Sequence, residues 1–442
     1  MRVGFIAMSG VRVQDAELMA LGLTLPGFVE RGKVIASLPS LGLLTLAALT
    51  PDDIEISYHE VDDIDRDTVP DLGFDLVAIS TMTAQAFEAY ELADRFRESG
   101  ITVVMGGLHA TCVPEQCALH ADAVVVGEGE SVWVGLIEDF RNGKLKGRYE
   151  SDDSYCLDDA PMPRFDLLEI EKYNRLTVQT TRGCPHKCDF CASSILLTKG
   201  YKVKPTAKVI AEIRLIKSIW ENPFIELADD NSFMSKAKAY ELLEAMIPEE
   251  ICWFTECDIS IASDEKLLGL MAKAGCRQVL IGLESPNADG LDGIETNNNW
   301  KLKQYSKYEE AVCRIQSHGI TVIGCFVLGL DGQTTKAFDA VYGFAKRTNL
   351  YDVQVTLATP FPGTGFYRRL ENAGRLTHPG RWDRCTLFDL NFEPTGMSYD
   401  ELRDGFRDLV GRLYDPRFVR ARRAGFLREL RSAGEFRASE SA

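Results

Sequence analysis

The sequence has no basic excess, no long apolar run and few cysteines, and each absence removes a class of protein. Lysine and arginine total 49 against 66 aspartate and glutamate, leaving a formal charge of −17 over 442 residues. A general nucleic-acid binder displaces phosphate counterions with a basic surface, so bulk nucleic-acid binding is not expected. No apolar stretch reaches the ~18 residues of a membrane-spanning helix. The longest, Leu38 to Leu49, is broken by Ser40, Gly42 and Thr45. The opening MRVGFIAMSG carries no cleavage-site pattern and reads as a first strand, not a signal peptide. Twelve cysteines are too sparse for a disulfide scaffold. Low-complexity tracts and short repeats are also missing. What remains is a globular composition, 45% apolar and 26% charged, whose length predicts two or three domains and a cytoplasmic protein.

The apolar pattern predicts an α/β chain. Over residues 1–145, strand-like runs (Arg2–Met8, Asp53–Val61, Asp75–Ser80, Thr102–Met105, Ala121–Val126) alternate with helical patterns at Leu41–Leu49, Ala84–Ser99 and Ser131–Arg141. Continuous apolar strands between helices indicate a parallel sheet covered on both faces, here a Rossmann-like domain. Residues 146–175, with Gly147, Pro161 and Pro163, read as a linker. Residues 176–375 hold a second series, with strands at 176–180, 224–227, 253–256, 278–281, 321–328 and 352–357 and five helical patterns between them. That count predicts a partial (β/α)6 barrel with its chemistry at the carboxyl ends of the strands. Residues 376–442 form a mostly helical C-terminal extension, in which eight arginines between Arg412 and Arg437 read as a solvated helix face.

Three cysteines stand apart from the other nine. The first barrel strand runs into Thr180-Thr181-Arg182-Gly183, and Cys184, Cys188 and Cys191 follow as C-x3-C-x2-C. Three thiolates on one Gly/Pro loop can face a single point. Structural zinc wants four closed ligands, and His186 inside the loop offers a possible fourth. Three cysteines alone suit a 4Fe-4S cluster with one iron left open. The scattered cysteines, several in apolar stretches, read as small buried hydrophobes.

With this motif after the first strand of a partial barrel, the chain resembles the radical S-adenosylmethionine (SAM) enzymes. The resemblance implies that Cys184, Cys188 and Cys191 ligate a 4Fe-4S cluster whose open iron takes the amino and carboxyl groups of SAM, and that one electron cleaves SAM to a 5′-deoxyadenosyl radical. It places Phe190 near the adenine. It places Asp229 and Asp230, in an Ala-Asp-Asp variant of the family's Gly-Gly-Glu, near the methionyl amino group. It aims Glu284 at SAM and sets Gly329 beside the adenine. The loop Thr359-Pro-Phe-Pro-Gly363-Thr364-Gly365 resembles the last barrel strand of the cobalamin-binding subgroup.

The N-terminal domain is similar to that subgroup's cobalamin-binding domain. Ser80, Thr81 and Thr83, then Gly106 and Gly107, then Gly127, Glu128 and Gly129, follow successive strands, where glycines and small hydroxyls let a flat corrin approach a sheet edge. The sequence has no D-x-H-x-x-G, so His109 is read in a local polar role and not as a cobalt ligand. The cofactors implied are the 4Fe-4S cluster, SAM and cobalamin. The partners are a small-molecule substrate and an electron donor such as flavodoxin or ferredoxin. The implied reaction is methyl transfer to an unactivated carbon of a small-molecule or natural-product substrate. A rearrangement, cyclisation or oxidation with the same cofactors is the second reading, and a non-catalytic iron–sulfur or zinc protein the third.

Overall fold

A computed structural model of the chain describes residues 1–9, 13–20, 38–64, 73–152, 154–192, 198 and 200–440. Six parallel strands build the first sheet: β1 (Arg2–Met8), β2 (Glu55–Val61), β3 (Leu76–Ser80), β4 (Thr102–Gly106), β5 (Ala123–Val126) and β6 (Arg148–Glu150). Their order is β2-β1-β3-β4-β5-β6. Alternation along β1 sends Val3, Phe5 and Ala7 to one core, and Ile6 and Met8 to the other. Both faces are therefore buried, as the apolar runs implied. The strand β6 lies past residue 145, inside the stretch read as linker, because a three-residue strand with one buried side chain leaves no periodic signal.

The second sheet is a curved, open barrel wall. Its strands are β7 (Leu176–Val178), β10 (Phe224–Leu227), β11 (Cys252–Cys257), β12 (Cys276–Glu284), β13 (Thr321–Leu328) and β14 (Asp352–Leu357), parallel and in sequential order. Between them comes a short antiparallel pair, β8 (Thr181–Arg182) with β9 (Lys202–Val203), which brackets the cysteine loop. Two-residue strands lie below what periodicity can detect.

The last barrel strand is followed by the helix Gly365–Asn372, and the C-terminal extension forms helices at Tyr399–Leu413 and Pro416–Glu440. Ser398 and Glu401 form a reciprocal capping box that starts the middle one. In the arginine run, Arg417, Arg420, Arg428 and Arg431 are exposed, as a solvated face requires, and two positions depart from it. Arg422 is 2% exposed and donates to the carbonyls of Leu350, Tyr351 and Leu413, while Arg423 pairs with Asp352. The side chain of Arg437 lies outside the described residues. The extension also covers the first sheet: Trp382 and Cys385 join its core, and Trp382 Nε1 donates to Gln116 at 2.6 Å. Among the described residues, no helix is long and apolar enough to cross a membrane.

Candidate active site

The carboxyl edges of both sheets open onto one cavity of about 1000 Å³. Its N-terminal wall is the helix Leu41–Leu49 together with Ser80, Gly106, Gly107, Gly127, Glu128 and Gly129. Its barrel wall holds the three cysteines, Phe190, Asp229, Asp230 and Glu284.

The cysteine loop is fixed from its base. Asp229, two residues past the end of β10, accepts the backbone N–H groups of Thr180 and Thr181 at 2.8 Å each. It also accepts the hydroxyls of Thr180 and, at 2.7 Å, Ser232. Every partner presents a hydrogen, so the geometry fits a carboxylate, although burial pushes this group's pKa above its ordinary value. Asp230 accepts Gly183 N–H at 2.7 Å. Gly183 has φ +87°, and a Cβ there would lie 2.0 Å from the Gly200 carbonyl oxygen, so only glycine fits. The two aspartates thus hold the strand end that launches the cysteines. Asp229 in particular has its acceptor capacity filled by protein, which departs from its expected place at the SAM amino group.

Glu295 fixes the far side of the loop by accepting Lys187 N–H at 3.1 Å. Burial opposes its ionisation, but the N–H groups of Asn298, Trp300, Lys187 and Asn297 hold it down at about 2. Asp189 pairs with Arg369 of the last barrel helix, and its carbonyl accepts Phe366 N–H at 2.9 Å. His186 lines the same cavity, with its Nε2 engaged by Asp258 at 2.9 Å and its ring 4.4 Å from that of Trp300.

The donor set suits a polynuclear cluster. Cys184, Cys188 and Cys191 line one cavity, and three thiols suit a cluster with one iron left open. Asn231 Nδ2 donates to Cys184 Sγ at 3.6 Å. Burial pushes Cys188 up to about 12, with Lys301 pulling the other way. A thiolate there needs a positive centre against it, which iron supplies.

Glu284 sits in the left-handed region at φ +62° and pairs with buried Lys301 at 2.7 Å. Lys301 also donates to the Gly282 carbonyl at 2.7 Å. A Cβ on Gly282 would come within 2.5 Å of the Glu284 carboxylate, so a larger residue there would displace that carboxylate from its present position. Phe190 lines the cavity beside the cysteines. Gly329 does not. A Cβ on it would meet Leu402 at 2.8 Å and Phe392 at 3.0 Å, so it lets the C-terminal helix pack closely and is absent from the cavity wall.

In the first domain, Gly107 at φ +90° leaves room for the Ser80 hydroxyl, 2.9 Å from where a Cβ would stand. Thr81 and Thr83 are buried and do not line the cavity. Glu128 lines it, but its carboxylate is held by Arg182 at 2.9 Å and Lys202 at 2.5 Å. Arg182 also pairs with Glu130 at 2.7 Å. These bonds join the glycine loop of the first sheet to the barrel, so Glu128 ties the two units together through both of its carboxylate oxygens. His109 is buried, with Nε2 2.7 Å from the Tyr90 hydroxyl, and burial lowers it to about 4. It stays off the cavity wall, as the local polar role required.

Sequence reasoning missed the apolar wall of Leu41, Leu43 and Leu46, the cation Lys301, and the barrel-lining Glu226, Glu256, Cys325, Gln354 and Thr356. The last five sit inside strands as polar residues breaking an apolar run, which was the available signal. Lys301 lies 17 residues from Glu284 and carried none.

Residues 178–345 match the Radical SAM superfamily, residues 31–137 the B12 binding domain, and residues 364–441 a domain of unknown function. The bacteriochlorophyllide d C-8(2)-methyltransferase of Chlorobaculum tepidum is 30% identical over 86% of this chain and 88% of its own. The C-12(1)-methyltransferase of the same organism is 28% identical over 90% and 86%. The fold matches that of the radical SAM methyltransferase TsrM from Kitasatospora setae, solved with cobalamin and a 4Fe-4S cluster, with a TM-score of 0.68 at 16% identity, covering 98% of this chain and 99% of that one.

Proposed function

The chain belongs to the radical SAM enzymes that carry a B12-binding domain, and from that premise we propose that it methylates an unactivated carbon of a small-molecule substrate. One observation carries the reading: the glycine edge of the first sheet and the cysteine loop of the barrel face each other across a single cavity. When bound, the cluster with SAM supplies a radical that removes a substrate hydrogen atom, and cobalamin supplies a methyl group.

The protein's part is placement. Cys184, Cys188 and Cys191 hold the cluster, with the loop kept in position by Asp229, Asp230 and Glu295. Phe190, Asp230 and Glu284 face SAM, and the Glu284–Lys301 pair keeps that carboxylate oriented. Ser80, Gly106, Gly107, Gly127 and Gly129 receive the corrin, and the leucines of Leu41–Leu49 exclude water from it. The electron comes from a small reduced protein of the flavodoxin or ferredoxin kind. Cysteines held outside disulfides suit a reducing, cytoplasmic compartment.

Anaerobically reconstituted protein given hydroxocobalamin, SAM and a reductant tests this. The expected result is near-stoichiometric cobalamin after desalting, with both 5′-deoxyadenosine and S-adenosylhomocysteine formed. Deoxyadenosine without retained cobalamin would sink the methyl-transfer reading.

A further inference from the structure

Most carboxylates on the cavity wall already have a partner. Glu128 and Glu130 are paired with Arg182, Glu226 with Arg175, and Glu284 with Lys301. Asp229 and Asp230 accept backbone N–H groups, and Asp258 is bonded to His186 and Asn231. Glu256, near the carboxyl end of β11, lines the same cavity; its backbone carbonyl accepts Ser232 N–H at 3.0 Å, but its side-chain carboxyl has no hydrogen-bond or ion-pair partner among the described residues. Across the barrel, Gln354 on β14 also faces the cavity. Its carbonyl receives only the weak Cys325 thiol contact at 3.6 Å, and its amide N–H groups have no partner among the described residues. The cavity-facing cations, Arg182 and Lys301, are both engaged. A carboxylate or phosphate on the substrate would therefore meet no unengaged cation among the described residues.

We propose that Glu256 orients the substrate, donating a hydrogen bond from its carboxyl to an uncharged carbonyl oxygen that the substrate presents between Glu256 and Gln354. This rests on the barrel being the reaction chamber. Burial and the neighbouring Glu226, Asp230 and Asp229 push Glu256 up to about 8, so it carries a proton at neutral pH and can donate. A further negative charge beside those three acids would be disfavoured, whereas a neutral acceptor lets both Glu256 and Gln354 act as donors. Glu256 is thus a positioning and specificity residue.

Acetophenone is a suitable probe, compared with benzoate and benzylammonium, on the full chain reconstituted with cluster, cobalamin and SAM. The wild type should bind acetophenone in preference to both ions and shift its carbonyl stretch to lower wavenumber. Glu256→Gln keeps a donor and should keep the shift. Glu256→Leu should lose it and weaken acetophenone binding by about fivefold, the scale of one neutral hydrogen bond. Preference for benzylammonium would overturn the proposal, as would an unchanged stretch and affinity in Glu256→Leu. A drop in SAM or cobalamin affinity in Glu256→Gln would assign the residue to a cofactor and also overturn it. Deoxyadenosine formation in the wild type is measured alongside. Its absence would remove the proposed reaction, while a failure confined to the acetophenone measurements would remove only the role of Glu256.

Discussion

Replacing Asp229 by alanine separates a clamp from a cofactor ligand. The side chain is 4% exposed and is the acceptor found for Thr180 N–H, Thr181 N–H and the Thr180 hydroxyl. Its fourth donor, the Ser232 hydroxyl, can fall back on Thr255 at 2.7 Å. Alanine therefore leaves three buried donors unmet at ~1–3 kcal/mol each, offset in part because a buried carboxylate is no longer desolvated, for a net loss of about 4 kcal/mol. At ~2–4 °C per kcal/mol for a unit of this size, melting should fall by about 8–16 °C. Asparagine keeps an oxygen for both N–H groups and should lose only about 1 kcal/mol. Thermal unfolding followed by tryptophan fluorescence, anaerobically and without SAM, reads both. If Asp229→Ala melts within a degree of the wild type but no longer binds SAM, the clamp reasoning is wrong and Asp229 is a cofactor ligand.

Three further outcomes are expected. Arg182→Ala strips Glu130 of its ion-pair partner and leaves Glu128, with 2% of its side chain exposed, only Lys202; about 3–5 kcal/mol is lost across the junction, read as faster proteolysis between the two units and loss of cobalamin on gel filtration. Gly329→Ala forces a Cβ within 2.8 Å of Leu402 at φ +90°; it should destabilise by about 1–3 kcal/mol while SAM affinity, measured calorimetrically, stays unchanged. Glu256 titrates near 8 in the fold against an ordinary 4.5, so between those pH values the folded state holds a proton that the unfolded chain has released. Stability then falls as pH rises, by at most about 1.4 kcal/mol per unit, and the melting temperature of Glu256→Gln relative to wild type should climb from pH 5 to pH 8. A flat difference across that range would contradict the raised value.

The α/β architecture and the three-cysteine motif are legible along the chain. Apolar runs of four to nine residues separated by amphipathic helices are enough to specify parallel sheets, because strands buried on both faces must be apolar throughout. The motif Cys184-x3-Cys188-x2-Cys191 is equally local, since three ligands within eight residues share a loop whatever the rest of the chain does. Tertiary structure decided which carboxylates remain available. Asp229, Glu128 and Glu256 are all acids at or near strand ends, and nothing in their neighbours along the chain distinguishes them. Only folding brings Thr180 and Thr181 to Asp229, or Arg182 and Lys202 to Glu128, and leaves the Glu256 carboxyl alone. Gly329 makes the same point, because its missing side chain answers to Leu402, 73 residues away in sequence but packed directly against it. Strand identity depends on periodicity within a few residues, whereas the charge state and hydrogen bonding of a buried acid depend on contacts between segments far apart in the chain.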